Sequence, residues 1–232
     1  MSPSKGWIPL GSSDIAALKA QQFSANEACY LVRISAQVLH QWHWQGLEPE
    51  AREMTGRGHR RHYGFQQIAH LLAMRTLSKS NVPLKLATII AESLLVPQIE
   101  GAFDAVCAAG TVGAAEQAYP VLVAVYDTNE EAGREQFAVA TFRQGKRLGE
   151  DAGLDLGSWM HRQSISDAIV ISPTELAFWL WFGIEEVLAG RGDPAFHEVL
   201  QEHLAGFKRR RPAGGAAAGA QPRRSRHTTR NQ

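Results

Sequence analysis

Two helix-start signals with almost nothing between them constrain this chain most. Ser24 can cap a helix beginning at Ala25, and Glu27 stands where a capping box needs its acid. Ala28 and Leu31 follow three apart, on one helical face. Val32–Ile34 leaves room only for a tight connection. Ser35 then caps a second short helix, Ala36 to Trp44, with Val38, Leu39 and Trp42 on its buried face. Gly46 stops it, where positive φ is useful.

The pattern changes after Gly46. Pro49, Gly56, Gly58 and Gly64 break any helix, and Arg52, Arg57, Arg60 and Arg61 cluster between them. Leu47–Tyr63 therefore reads as a basic hairpin or loop. Phe65–Leu77 and Leu84–Leu95 are helical again, joined at Asn81-Val82-Pro83. Gly101–Gln117 is Ala/Gly-rich and reads as a loose helix or linker. Pro120–Asp127, Gln136–Phe142 and Ala168–Ser172 read as strands. Pro173 opens a helix over Thr174–Leu188 that is apolar nearly all round, so it should be buried in this domain or in a partner. A last helix spans Pro194 to Phe207.

Charge divides the chain in the same places. The formal net charge of the 232 residues is +1. It conceals a basic N-terminal stretch (1–99), an acidic middle (100–206) and a basic tail with no acid at all (207–232). Such segregation suggests separate modules, the basic ones being candidates for a polyanion or simply solvated faces. Hydrophobic residues make up 44%, enough for a real core. The expected architecture is α+β. It has a leader over 1–22, a mostly α winged helix-turn-helix over 23–98, a linker or loose helix over 99–118, an acidic α/β domain over 119–207, and a disordered basic tail over 208–232.

A helix-turn-helix braces its second helix with its first and lays the second in the major groove. Ala28 and Val32 are small enough for the crossing. Gln37, His40, Gln41 and His43 face outward on the second helix. Gln can pair bidentately with adenine, and His can donate to guanine or phosphate. Arg forks in the hairpin match phosphate geometry. In their order and spacing these residues resemble the MerR-type regulators. Phe23, Glu27 and Ala28 open the first helix, followed by Ile34, Ser35, Leu39 and Trp42. Gly46-Leu47 ends the second helix, Arg52 follows, and Arg61-His62-Tyr63 closes the wing. An aromatic-Gln-Gln-Ile helix start comes next, then a helix from Leu84.

The resemblance implies a winged helix-turn-helix on double-stranded DNA in a bacterial, cytoplasmic transcriptional regulator. Arg61 and Tyr63 would hold the wing on phosphates, with Arg52, Arg57 and Arg60 beside them. Gln37, His40 and Gln41 would approach base edges, with Ser35 and His43 flanking them. RNA polymerase, a small-molecule or protein effector at the C-terminal domain, and a second copy of the chain are the partners it implies. Two features depart from the family pattern. His40 stands where the family usually has Arg, and Gly101–Gln117, where it usually has a long dimer helix, is glycine-broken without heptads. The alternative reading keeps the DNA module in a mobile-element or phage excision or packaging factor, with an assembly domain behind it.

Other chemistries find little support. Gly145, Gly149, Gly153 and Gly157 form no phosphate-loop pattern, and His161, Ser164 and Asp167 carry no triad signature, so no enzyme is expected. His40, His43, His59 and His62 lack acidic or Cys partners at ligand spacing, so neither metal nor cofactor is expected. Cys29 reads as a small buried hydrophobe, and Cys107 stands alone. Trp42 belongs to the core face, whereas Trp44 is open between core and nucleic-acid stacking. The Trp179–Phe182 stripe is core or a seat for an apolar partner. The longest apolar runs are about half the ~20 residues of a membrane span, so no membrane is expected. The tail either adds non-specific DNA affinity or merely solubilises.

Overall fold

The computed structural model describes residues 8–49, 52–53, 61–119, 121–127, 137–143, 146–147, 155–162 and 168–209. The supposed leader contains a helix, α1 (Ser12–Lys19), that lies on the body of the protein. Ile15 is buried, Leu10 N–H donates to the Cys107 carbonyl at 2.9 Å, and Lys19 pairs with Glu100 at 2.9 Å and Asp104 at 3.0 Å.

The two serine signals work as expected. A two-residue strand β1 (Phe23–Ser24) leads into α2 (Ala25–Val32) through a complete capping box between Ser24 and Glu27. Arg33 closes α2 in the left-handed conformation, with φ 55°. Ser35 then caps α3 (Ala36–Trp44) by accepting from Val38 N–H at 3.1 Å. Gly46 has φ 65°, which L residues with a side chain adopt only at a cost. Strands β2 (Arg52–Glu53) and β3 (Arg61–Tyr63) pair antiparallel, and β3 also pairs with β1, so β3 is the centre of a small sheet. Helix α4 (Phe65–Lys79) crosses behind α2, with Ile68, Leu71, Leu72 and Met74 buried.

The largest departure from expectation begins at Leu84. Helix α5 (Leu84–Ile90), a π turn (Ala91–Leu95) and α6 (Val96–Ala109) run on as one rod, with no break at Gly101. Pro97 has no N–H to give to the preceding turn, and its ring crowds the carbonyl four residues back; a wider π turn just upstream accommodates both. Gly101 serves packing here, because the Tyr119 ring lies where a Cβ would stand, at 2.9 Å. The rod is long enough to cross a bilayer, but Ile99, Phe103, Val106 and Cys107 on it belong to the protein core. Helix α7 (Val112–Ala118) follows, so the linker alternative for 99–118 gives way to helix.

Four strands form the second sheet: β4 (Val121–Asp127), β5 (Phe137–Arg143), β6 (Lys146–Arg147) and β7 (Ala168–Ile171), in the order β6-β5-β4-β7. Among the described residues every pairing is antiparallel, which corrects the expected α/β character. The chain re-enters the sheet at β7, beside β4 and opposite in direction, so the described strands form no parallel crossover. Apolar residues line β4 almost continuously because both faces are covered. Val123 and Val125 join the main core, while Ala124 packs with Phe142 and with Trp159 of helix α8 (Leu156–Arg162).

Helices α9 (Pro173–Gly190) and α10 (Pro194–Arg209) fold back over the N-terminal module. Gly183 lets α9 approach α2, since a Cβ there would stand 2.9 Å from Leu31 Cδ2. Leu180, Trp181, Ile184 and Val187 therefore share one apolar core with Ala28, Val32 and Leu71. Arg191, after α9, completes the closure. Its guanidinium donates to the Glu27 carboxylate at 2.9 Å and to the Gln22 carbonyl, and lies 5.4 Å from the Phe23 ring centroid. Burial alone would raise the Glu27 carboxyl; the Arg191 guanidinium and the Ser24 cap outweigh it and hold Glu27 below its ordinary value. The tail beyond 209 lies outside the described residues.

Candidate nucleic-acid interface

Helix α3 has two unlike sides. Leu39 and Trp42 are buried at 5% and 4% exposure, with Val38 half-buried beside them. Gln37, His40, Gln41 and Trp44 are exposed, and their spacing of three and four places them in one outward stripe. Trp44 is 77% exposed. Its indole N–H donates to His40 Nε2 at 3.0 Å, with the rings edge to face at 5.9 Å. That bond puts the His40 proton on Nδ1 and so leaves a donor for another partner. Sequence reasoning left Trp44 open, although it stands seven residues after Gln37, on the same stripe.

Glu48 organises the other end of the helix, and sequence reasoning missed it. Its side chain is only 3% exposed. One carboxylate oxygen accepts the Tyr63 hydroxyl. The other lies 2.9 Å from His43 Nδ1 and 3.3 Å from an Arg61 guanidinium nitrogen. A second Arg61 nitrogen reaches His43 Nε2 at 2.6 Å. These contacts fit a His43 that donates from Nδ1 and accepts at Nε2, with both ring nitrogens engaged. The cluster ties the end of α3 to strand β3.

Three residues expected at DNA, Tyr63, Arg61 and His43, are drawn into this cluster. Tyr63 is fully buried, and burial together with the Glu48 acceptor raises its hydroxyl well above the ordinary tyrosine value. It cannot reach a phosphate. Arg61 is turned onto Glu48 and His43 rather than outward, because an uncompensated buried carboxylate is costly and Arg61 is the cation within reach. His43 is spent on the same pair. Ser35 uses its oxygen as the cap of α3. Arg52 lies on β2, its side chain outside the described residues, as are Arg57 and Arg60 entirely.

Among the described residues no three His, Cys, Asp or Glu side chains form a group able to hold a metal ion. Cys29 and Cys107 are both buried free thiols, and burial pushes each up to about 12. A braced short helix with a polar outer stripe, beside an antiparallel hairpin, defines the class: a helix-turn-helix module of the DNA-binding kind. Residues 23–94 match the family described as MerR HTH family regulatory protein, so the N-terminal module is a MerR-type helix-turn-helix. Modules of this family point to double-stranded DNA and to transcription regulation. The match ends within the long rod and does not reach the second sheet or α9 and α10. No curated protein matches the chain.

Proposed function

We propose that this protein is a sequence-specific double-stranded DNA-binding regulator of transcription. It lays α3 in the major groove, with Gln37, His40, Gln41 and Trp44 as the reading surface. Gln37 and Gln41 offer paired donor and acceptor groups to adenine edges, His40 Nδ1–H offers a donor, and Trp44 offers an apolar face to a thymine methyl. The hairpin of β2 and β3 is the wing, with Arg52, Arg57 and Arg60 set against the neighbouring phosphates. Arg61, His43 and Tyr63 hold the wing to α3 instead of touching DNA. RNA polymerase, a second copy of the chain and the bacterial cytoplasm belong to the same reading, which assigns binding rather than turnover.

One observation carries it: the outward side of α3 is a continuous polar and aromatic stripe, while its inward side is sealed into the core. The test begins by selecting duplexes from a random pool with the full chain. Gln41→Ala is expected to lower affinity for the selected site by about tenfold, from the ~1–3 kcal/mol of one bidentate base contact, with little change on unrelated duplex. Equal loss on both duplexes would remove the base-reading role. Promoter-proximal sites in a genome-wide map favour the regulator; attachment or packaging sites favour the mobile-element alternative.

A further inference from the structure

Where α9 and α10 close over the N-terminal module, they leave a cavity of about 330 Å³ between α2, α4, α9 and α10. That is the low end of the ~300–1,000 Å³ typical of small-molecule sites. Leu31, Leu72, Leu176 and Phe182 supply apolar wall, and Trp179 stands half-exposed at the lip. Two arginines also line the cavity, beside the polar groups of Tyr30, Glu186 and His203. Arg33 comes from the turn between α2 and α3 and lies 5.5 Å from the Trp179 ring centroid. Arg75 comes from α4 and is half-buried.

One carboxylate, Glu186, lines the cavity with the two cations. Among the described residues, neither Arg33 nor Arg75 has an acidic oxygen within ion-pair distance. Glu186 lies by Tyr30, where it and burial push the hydroxyl up to about 12. Burial and then Arg33 hold Arg75 below its ordinary value, and burial, Arg33 and Arg75 do the same to His203, which also lines the cavity. Two like charges against an apolar wall are unfavourable until an anion joins them. A duplex backbone is a poor candidate for that anion, because its phosphates sit on a broad convex rod and this site is concave and roofed by α9.

We propose that this cavity binds a small aryl carboxylate, its acid group between Arg33 and Arg75 and its ring against Leu72, Leu176 and Phe182 beneath Trp179. Arg33 lies two residues before the Ser35 cap, so an acid held there bears on the turn that aims α3. This site is separate from the groove reading, and its ligand titrations need no DNA.

The experiment titrates the full chain with 2-naphthoate and with uncharged 2-naphthamide by calorimetry. Naphthoate is expected to bind one per chain, and naphthamide at least tenfold more weakly. Arg33→Asn, which keeps a residue tolerant of left-handed backbone, and Arg75→Gln should each weaken naphthoate at least tenfold and leave naphthamide unchanged. Arg33 is exposed, so its variant keeps the test sound even where Arg75→Gln folds poorly. Equal affinity for acid and amide, unchanged naphthoate binding in Arg33→Asn, or no naphthoate binding at millimolar concentration overturns the proposal. So does a pair of variants that leave naphthoate alone and lower affinity for every duplex equally; that result makes Arg33 and Arg75 phosphate contacts.

Discussion

Glu48→Leu removes one acceptor from three donors at once. The Tyr63 hydroxyl is fully buried, so it keeps its desolvation cost with no partner, ~1–3 kcal/mol. The Arg61 and His43 side chains are 27% and 43% exposed and can turn to water, so losing their pairing costs at most ~1 kcal/mol together. The expected loss of stability is therefore about 1–4 kcal/mol, read as a lower urea midpoint at unchanged m-value. Adding Tyr63→Phe removes the orphaned hydroxyl and should restore ~1 kcal/mol or more, whereas Tyr63→Phe alone should destabilise. Arg61→Ala should destabilise as well, because it takes the guanidinium from the buried Glu48 carboxylate. A Glu48→Leu protein within ~0.5 kcal/mol of the parent, or a double variant whose losses simply add, would refute the reasoning.

Arg191→Ala should cost ~1–2 kcal/mol and raise amide exchange in both α2 and α9, because one guanidinium joins the loop after α9 to the Glu27 cap and the Gln22 carbonyl; faster exchange confined to α9 would contradict that link. Stability should fall as pH drops below about 6.5. His70 is buried, its Nε2 has no hydrogen-bond partner among the described residues, and burial lowers its pKa. The unfolded chain then takes up protons that the native chain refuses until the lowered value is reached. His203 acts in the same direction. His70→Gln should flatten the urea midpoint between pH 7 and pH 5.5; an unchanged slope would show that His70 does not set it.

What was legible in the sequence is what short-range chemistry decides. The caps at Ser24 and Ser35 are contacts across three residues, and both formed where their residue types stood. The buried strand β4 was legible because double-sided covering writes an unbroken apolar run; β7 was legible from its run of four apolar residues, although Val170 is exposed. Gly101 misled because its place in a helix is settled by the Tyr119 ring, which arrives from outside the local pattern. The Glu48 cluster joins residues thirteen and fifteen positions apart in sequence, and an acid beside a proline gives no local sign of it. The turn of Arg61 and Tyr63 onto Glu48 was illegible for the same reason, since the local sequence does not reveal which polar groups the fold itself engages. The closure of α9 and α10 over α2 likewise depends on contacts across more than a hundred and sixty residues.

The stripe on α3 can be tested where it would touch DNA. Both native thiols are buried and poorly ionised, so an aryl azide placed through Gln41→Cys should label that position alone. Irradiated on the selected duplex, the labelled chain should give adducts at one base position in the major groove, while a chain labelled through Glu116→Cys gives none. Tight duplex binding with no adduct from position 41, or adducts scattered equally from both positions, would contradict the placement of α3 in the groove.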